Sequence, residues 1–280
     1  MSLNSINTNA QSLIALQSLN RTNDELSLIQ KRVSTGYRVA DARDDGGAFA
    51  VAQSVRSDMA GVVAVNEQLG GVKGVLETAF AALTVVSDTM KQLRATLTRL
   101  ADGAISADQR KAYEEQYTLL AQQVASFVDD AGYNGRTLLS TVSTGTPAGG
   151  NITAIRNETG GLFTIEAVDG ASLKITTLAP ANAAAAQASF NSGGAFDTAE
   201  AAISKALSTF GASMAFLESQ ISYNSKKADA MSNGLGALVD ADLARESSAL
   251  EGIKVRQQLG IQTLSLANQG PQVLLGLFRN

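Results

Sequence analysis

The feature that most limits what this chain can become is an apolar stripe near its C-terminal end that is too narrow to bury itself. From residue 238 to 280 the sequence reads as one long helix. On it Leu243, Leu250, Ile253, Leu264, Ala267, Leu274 and Phe278 recur at steps built from three and four residues, which lines them along one side. A stripe of that width needs a partner helix. The matching stripe stands at the opposite end of the chain, where Leu3, Ile6, Ala10, Leu13, Leu16, Leu19, Leu26, Ile29 and Val33 follow the same spacing. The two ends are therefore expected to pair, leaving everything between them as one long excursion.

The ends share a second property. Apart from the terminal amine, no charge precedes Arg21 and none falls between Arg256 and Arg279, while both stretches are rich in Ser, Thr, Asn and Gln. Solvated helices ordinarily carry charge on their outer face, so a polar but uncharged one points to contact with other subunits or with a sheltered channel. The apolar positions of both stripes are accordingly the candidate assembly interface.

The side chains present exclude much chemistry. Cysteine, histidine and tryptophan are absent, which removes disulfides, thiolate nucleophiles, imidazole bases and the common zinc sites. The net charge is −4, and Lys and Arg form no run, so nucleic acid is not an expected partner. The best carboxylate grouping is Asp240, Asp242 and Glu246. Asp240 and Asp242 do not share a helical face, and acids there read as stabilisers of a helix N-terminus. Asp41, Asp44 and Asp45 are interleaved with Arg38 and Arg43 and read as a salt-bridged connector rather than a metal site. The chain is not read as an enzyme, and no catalytic, cofactor-binding or metal-ligating residue is assigned.

The N-terminus has no Lys or Arg before its first apolar residues and does not follow the pattern of a secretory signal peptide, so an exported chain would leave by another route. Gln262, Asn268, Gln269, Gly270 and Pro271 interrupt the most apolar C-terminal run, which is not expected to insert in a membrane.

Between the ends the sequence predicts a first helix closing at Gly36, then a helix over 48–100 with Val55, Met59, Val62, Val65, Leu69, Val72, Leu76, Phe80, Leu83, Val86, Met90, Leu93 and Leu97 on one side. Gly61, Gly70, Gly71 and Gly74 within it should mark close contacts or bends. Ser106 and Gln109 form a capping box for a helix to about Asp130, ended by Tyr133-Asn134-Gly135. The section 151–178 changes character. Residues 152–156 are a possible strand, and 162–167 with 171–177 are expected as a hairpin around Val168-Asp169-Gly170, pairing Ile165 with Leu173 and Phe163 with Ile175. Asp197 and Glu200 resemble a cap opening a further helix, with Asn233-Gly234-Leu235-Gly236 as a hinge into the C-terminal one.

The expected fold is mainly α: a long antiparallel helical bundle or coiled coil, with paired terminal helices and a small β-hairpin region. Residues 1–44 with 237–280 form one expected domain and 45–236 the other.

Taken in order, several motifs resemble bacterial flagellin over nearly the whole chain. They are Ile6-Asn7-Thr8-Asn9, Leu19-Asn20-Arg21-Thr22, Val33-Ser34-Thr35-Gly36, Arg38-Val39 leading to Asp44-Asp45-Gly46-Gly47, Tyr133-Asn134-Gly135, Phe163-Thr164-Ile165-Glu166, and Ala267-Asn268-Gln269-Gly270-Pro271-Gln272. The resemblance implies a structural subunit, exported and extracellular, that self-assembles into the flagellar filament for motility. Its terminal helices would form an inner, filament-core domain, and the rest an outer helical domain without extra insertions. The implied partners are other copies in a helical homopolymer, the flagellar export apparatus and chaperone, and the hook-associated junction and cap proteins. A hook–filament junction protein shares the terminal patterns and is the alternative; a surface adhesin, more distant, would need a developed outer domain. Enteric members engage a vertebrate innate receptor through Arg, Leu and Glu at positions that align here with Gln92, Thr96 and Gln123, so the resemblance does not carry that recognition over.

Overall fold

A computed structural model describes residues 9–144, 146–175 and 178–277. The chain forms two compact units, one from Met1–Ser57 with Ala230–Asn280, the other from Asp58–Asp229. They divide at 57/58 and 229/230 rather than at the expected 44/45 and 236/237. The physical reason is a small core of Val39, Ala52 and Val239, against which Ala48, Phe49, Leu235 and Leu238 pack, so residues on both sides of the expected boundaries are buried together.

The first unit holds α1 (Ala10–Thr35) and α7 (Leu243–Leu277), with the beginning of α2 (Gly46–Leu100) and the end of α6 (Ala195–Val239). The Asn9 side chain accepts from the Ser12 amide to cap α1, and Gly36, at φ 74°, closes it in the left-handed conformation with its N–H on the Arg32 carbonyl. α6 runs through Asn233-Gly234-Leu235-Gly236 without a hinge. The break falls instead at 240–242, where Asp242 Oδ1 accepts from the Ala244 and Arg245 amides, 3.1 Å each, to open α7. Asp242 thus acts as a helix cap.

The second unit is built on α2, α6 and α3 (Ala107–Asp129). The apolar spacing of α2 puts Val62, Val65, Leu69, Leu76, Leu83, Val86, Met90, Leu93 and Leu97 into the interior, joined by Tyr117, Ala121 and Val124 of α3 and Ile203, Phe210 and Leu217 of α6. α2 is apolar and long enough to match a membrane span by length and composition, and these core positions supply part of that apolarity. The capping box is formed as expected, Gln109 N on Ser106 Oγ and Ser106 N on Gln109 Oε1. α5 (Ala183–Phe190) precedes α6, which starts two residues before Asp197; that carboxylate sits in the first turn and accepts from the Gly193 amide.

The expected hairpin is not the one that forms. β1 (Ile152–Ile155) pairs antiparallel with β2 (Leu162–Ile165), setting Ile152 opposite Ile165 and Ala154 opposite Phe163 on one face, and Thr153 opposite Thr164 on the other. Residues 170–173 form the short helix α4 (Gly170–Leu173), capped by Asp169 Oδ1 on the Ala171 amide. Two forces override the alternation of 171–175. An Asp-Gly pair can cap a helix as readily as turn a hairpin. Gly170 is also wedged against the Leu139 carbonyl, where a Cβ would stand 2.3 Å from the oxygen. Leu173 and Ile175 are buried as their side chains require, but against the helices and not across a turn.

Candidate assembly surface on the terminal helices

The stripes at the two ends do meet. α1 and α7 run antiparallel, with Asn9 Nδ2 on the Ala267 carbonyl at 2.7 Å, Gln257 Nε2 on Asn23 Oδ1 at 2.7 Å, and Arg32 Nη1 on Glu246 Oε1 at 3.2 Å. The seam follows a stricter rule than the list of apolar residues. On α1 the half-buried positions run Ser12, Ala15, Leu19, Thr22, Leu26, Ile29 and Val33; on α7 they run Glu246, Leu250, Ile253, Gln257, Gly260, Leu264 and Ala267, with Ile253 fully buried. Each is a seven-residue repeat, the period of a left-handed coiled coil.

Four expected stripe positions depart from it. Leu13 is 62% exposed, and Leu16 and Leu243 also point outward, as does Ala10. Counting every leucine at a spacing of three drifts off the seam, and the heptad phase instead selects Ser12 and Ala15, which sequence reasoning passed over because neither is strongly apolar. The seven-residue spacing of Leu19, Leu26 and Val33 carried part of the signal, while the facing helix fixes the phase at residues 12 and 15. Leu3, Ile6 and Phe278 lie outside the described residues, and Leu274 falls within the last turn of α7.

The outer face is the more unusual one. Ile14 (68% exposed), Leu266 (70%), Leu259 and Ile261 stand in solvent with Leu13 and Leu16, on stretches without charge, and Leu28 and Val255 are exposed among charged neighbours. Exposed apolar side chains are informative where they form a contiguous patch, because such patches mark interaction sites.

At the other end of the helix pair the two chain crossings are tied together. The Arg38 and Val39 amides donate to the Val239 carbonyl at 2.7 and 3.2 Å, and the Ala241 amide donates to the Gly36 carbonyl at 2.9 Å. The connector charges act here. The Lys31 ammonium lies 2.9 Å from Asp41 and 2.8 Å from Asp44, and Asp44 Oδ2 also accepts from the Ala40 and Asp41 amides. The hydrogen bond from Lys31, reinforced by those amides, holds the Asp44 carboxyl at about 2; the Lys31 hydrogen bond and then the Arg43 amide lower Asp41, and Lys31 is raised in return. The connector clamps the α1–α2 corner by charge-assisted hydrogen bonds.

Comparison with known proteins bears on what this surface is for. Residues 6–144 match the bacterial flagellin N-terminal helical region and residues 194–278 the bacterial flagellin C-terminal helical region. The chain is 33% identical to flagellin FljK of Caulobacter vibrioides, over the full length of both, and 33% identical to the flagellin of Brucella melitensis, over 98% of this chain and 99% of that one. In fold it is similar to Bacillus cereus flagellin in its crystal structure, with a TM-score of 0.50 at 23% identity over 56% of this chain and 88% of that one. With both helical regions matched and relatives aligned from end to end, the chain belongs to the bacterial flagellin family.

Proposed function

We propose that this flagellin builds the flagellar filament through the outward faces of its paired terminal helices, the seam serving to hold the pair as one polymerising element. The observation that carries this reading is the exposure of Leu13, Ile14 and Leu16 before Arg21 and of Leu259, Ile261 and Leu266 after Arg256, on stretches without charge. Burying a large aliphatic side chain stabilises by about 1.5–3 kcal/mol, and a repeating head-to-tail contact between copies supplies that burial along an open helical polymer. Leu3, Ile6, Leu274 and Phe278 continue the apolar spacing of the sequence towards the chain ends. The lack of charge suits passage through the flagellar export apparatus, with a chaperone shielding the apolar face before assembly and hook-associated junction and cap proteins meeting it at the filament ends. End-to-end correspondence with flagellins supports a filament subunit, extracellular and serving motility, over a junction protein.

The test is polymerisation of the double variant Leu13→Asp/Leu266→Asp, followed by sedimentation and negative-stain microscopy. Both side chains are exposed in the single chain, so helix content should match the parent while the concentration needed for filaments rises steeply. Filaments at the parent threshold would remove the outer face from assembly.

A further inference from the structure

We propose that Asn134 is a site of spontaneous self-modification, at which the backbone amide of Gly135 closes on the Asn134 side chain and the turn converts to aspartate and isoaspartate. The turn after α3 is a two-residue hairpin loop. The Tyr133 amide donates to the Arg136 carbonyl at 2.8 Å, the Arg136 amide donates to the Tyr133 carbonyl at 3.0 Å, and the two central residues both take positive φ, 49° at Asn134 and 76° at Gly135. That geometry selects Asn-Gly. The same dipeptide carries a chemical liability, because a glycine after asparagine puts no side chain in the way of its own nitrogen.

The surroundings leave the reaction open. Asn134 and Gly135 are exposed, and nothing lies within 4 Å of where a Cβ on Gly135 would stand. Among the described residues the Gly135 amide is not a donor in any backbone hydrogen bond outside the helices and strands. The second Asn-Gly pair, Asn233-Gly234, makes the contrast: it lies inside α6, where the Gly234 amide belongs to the helical ladder and the backbone cannot fold back on the side chain. Asp45, Asp102 and Asp169 also precede glycines, but their carboxylates are engaged by the Ala48, Ala104 and Ala171 amides at 3.0, 2.8 and 3.1 Å.

The step balances without a co-reactant other than water. The Gly135 nitrogen bonds to Cγ of Asn134, the Cγ–Nδ2 bond breaks, and ammonia leaves carrying the proton the Gly135 nitrogen gave up. Water then opens the five-membered imide at either carbonyl. One opening yields aspartate with the main chain unchanged, and the other routes the main chain through the former side chain as isoaspartate. The second product adds a methylene to a two-residue loop. It must disturb the Tyr133–Arg136 pair, the bond from the Ala148 amide to the Gly135 carbonyl (2.8 Å), and the packing of the Tyr133 ring over Gly74, where a Cβ would come within 3.0 Å of the ring.

The experiment incubates the purified full-length protein in mildly alkaline buffer, maps its peptides by mass spectrometry, and detects isoaspartate by enzymatic methyl transfer. The peptide containing Asn134 should convert and accept methyl groups roughly tenfold or more ahead of that containing Asn233, whose amide exchanges only on helix opening. Asn134→Gly tolerates the positive φ, so it should melt with the parent and accept no methyl groups at this peptide. Equal conversion of Asn134 and Asn233 overturns the proposal. So does an unchanged Asn134 after a free peptide of residues 131–137 has fully converted.

Discussion

Gly260 of α7 lies directly against Leu19 of α1: a Cβ added to the glycine would stand 3.2 Å from Leu19 Cδ1. The contact is with the far end of a flexible side chain rather than with backbone. Gly260→Ala should therefore gain most of the roughly 1 kcal/mol that alanine offers over glycine in a helix, with Leu19 shifting slightly. Gly260→Phe should force the helices apart. Thermal melting of the unpolymerised chain, followed by circular dichroism, should rise for the first and fall for the second.

The heptad phase gives a sharper test of the pair. Leu264 is on the seam and Leu13 is outside it. In the unpolymerised chain Leu264→Asp should cost on the order of 2 kcal/mol of terminal-helix pairing, since an unpaired carboxylate enters an apolar contact, whereas Leu13→Asp should cost less than about 0.5 kcal/mol. Similar losses of helix content in the two variants would mean that the seam runs elsewhere.

In the second unit the observed strand register separates two neighbouring residues. Phe163 stacks on Phe216 with ring centroids 4.4 Å apart, while Thr164 faces out and shares only the Thr153 hydroxyl, 3.1 Å away. Phe163→Asp should destabilise the unit by about 3 kcal/mol or more, and Thr164→Asp by under about 1 kcal/mol. Denaturant melts of the full chain, read for the transition of this unit, compare them.

The Lys31–Asp44 clamp sets an acid limit on the first unit. Asp44 has a folded value of about 2, below the roughly 3.9 of a free aspartate. Its contribution is therefore complete above about pH 4 and is lost as pH falls towards 2. Lys31 is raised, so its share persists through neutral pH and is lost only above the ordinary lysine range, about pH 10.4. Asp44→Asn should flatten the acid limb of a plot of melting temperature against pH while leaving the shape between pH 5 and 9 (roughly, from the same reference values) unchanged. An acid limb identical to the parent's would show that the clamp contributes nothing.

Much of this architecture follows from local chemistry that sequence records. The spacing of Val62 through Leu97, the Ser106–Gln109 capping box and the glycine that ends α1 are each read within a few residues, and each forms as read. The pairing of the chain ends was legible too, because two narrow stripes without other partners have few ways to be buried. What the sequence could not settle was decided between residues far apart in the chain. Ser12 and Ala15 occupy the seam in place of Leu13 and Leu16 because the facing helix fixes the heptad phase, and no single helix reveals which of its apolar residues the partner will cover. Ile165 faces Ile152 rather than Leu173 because the Leu139 carbonyl and the Asp169 cap turn the following segment into a helix. Local pattern narrows which side chains can be buried; tertiary contact, through steric fit and satisfied hydrogen bonds, determines which of them are and against what.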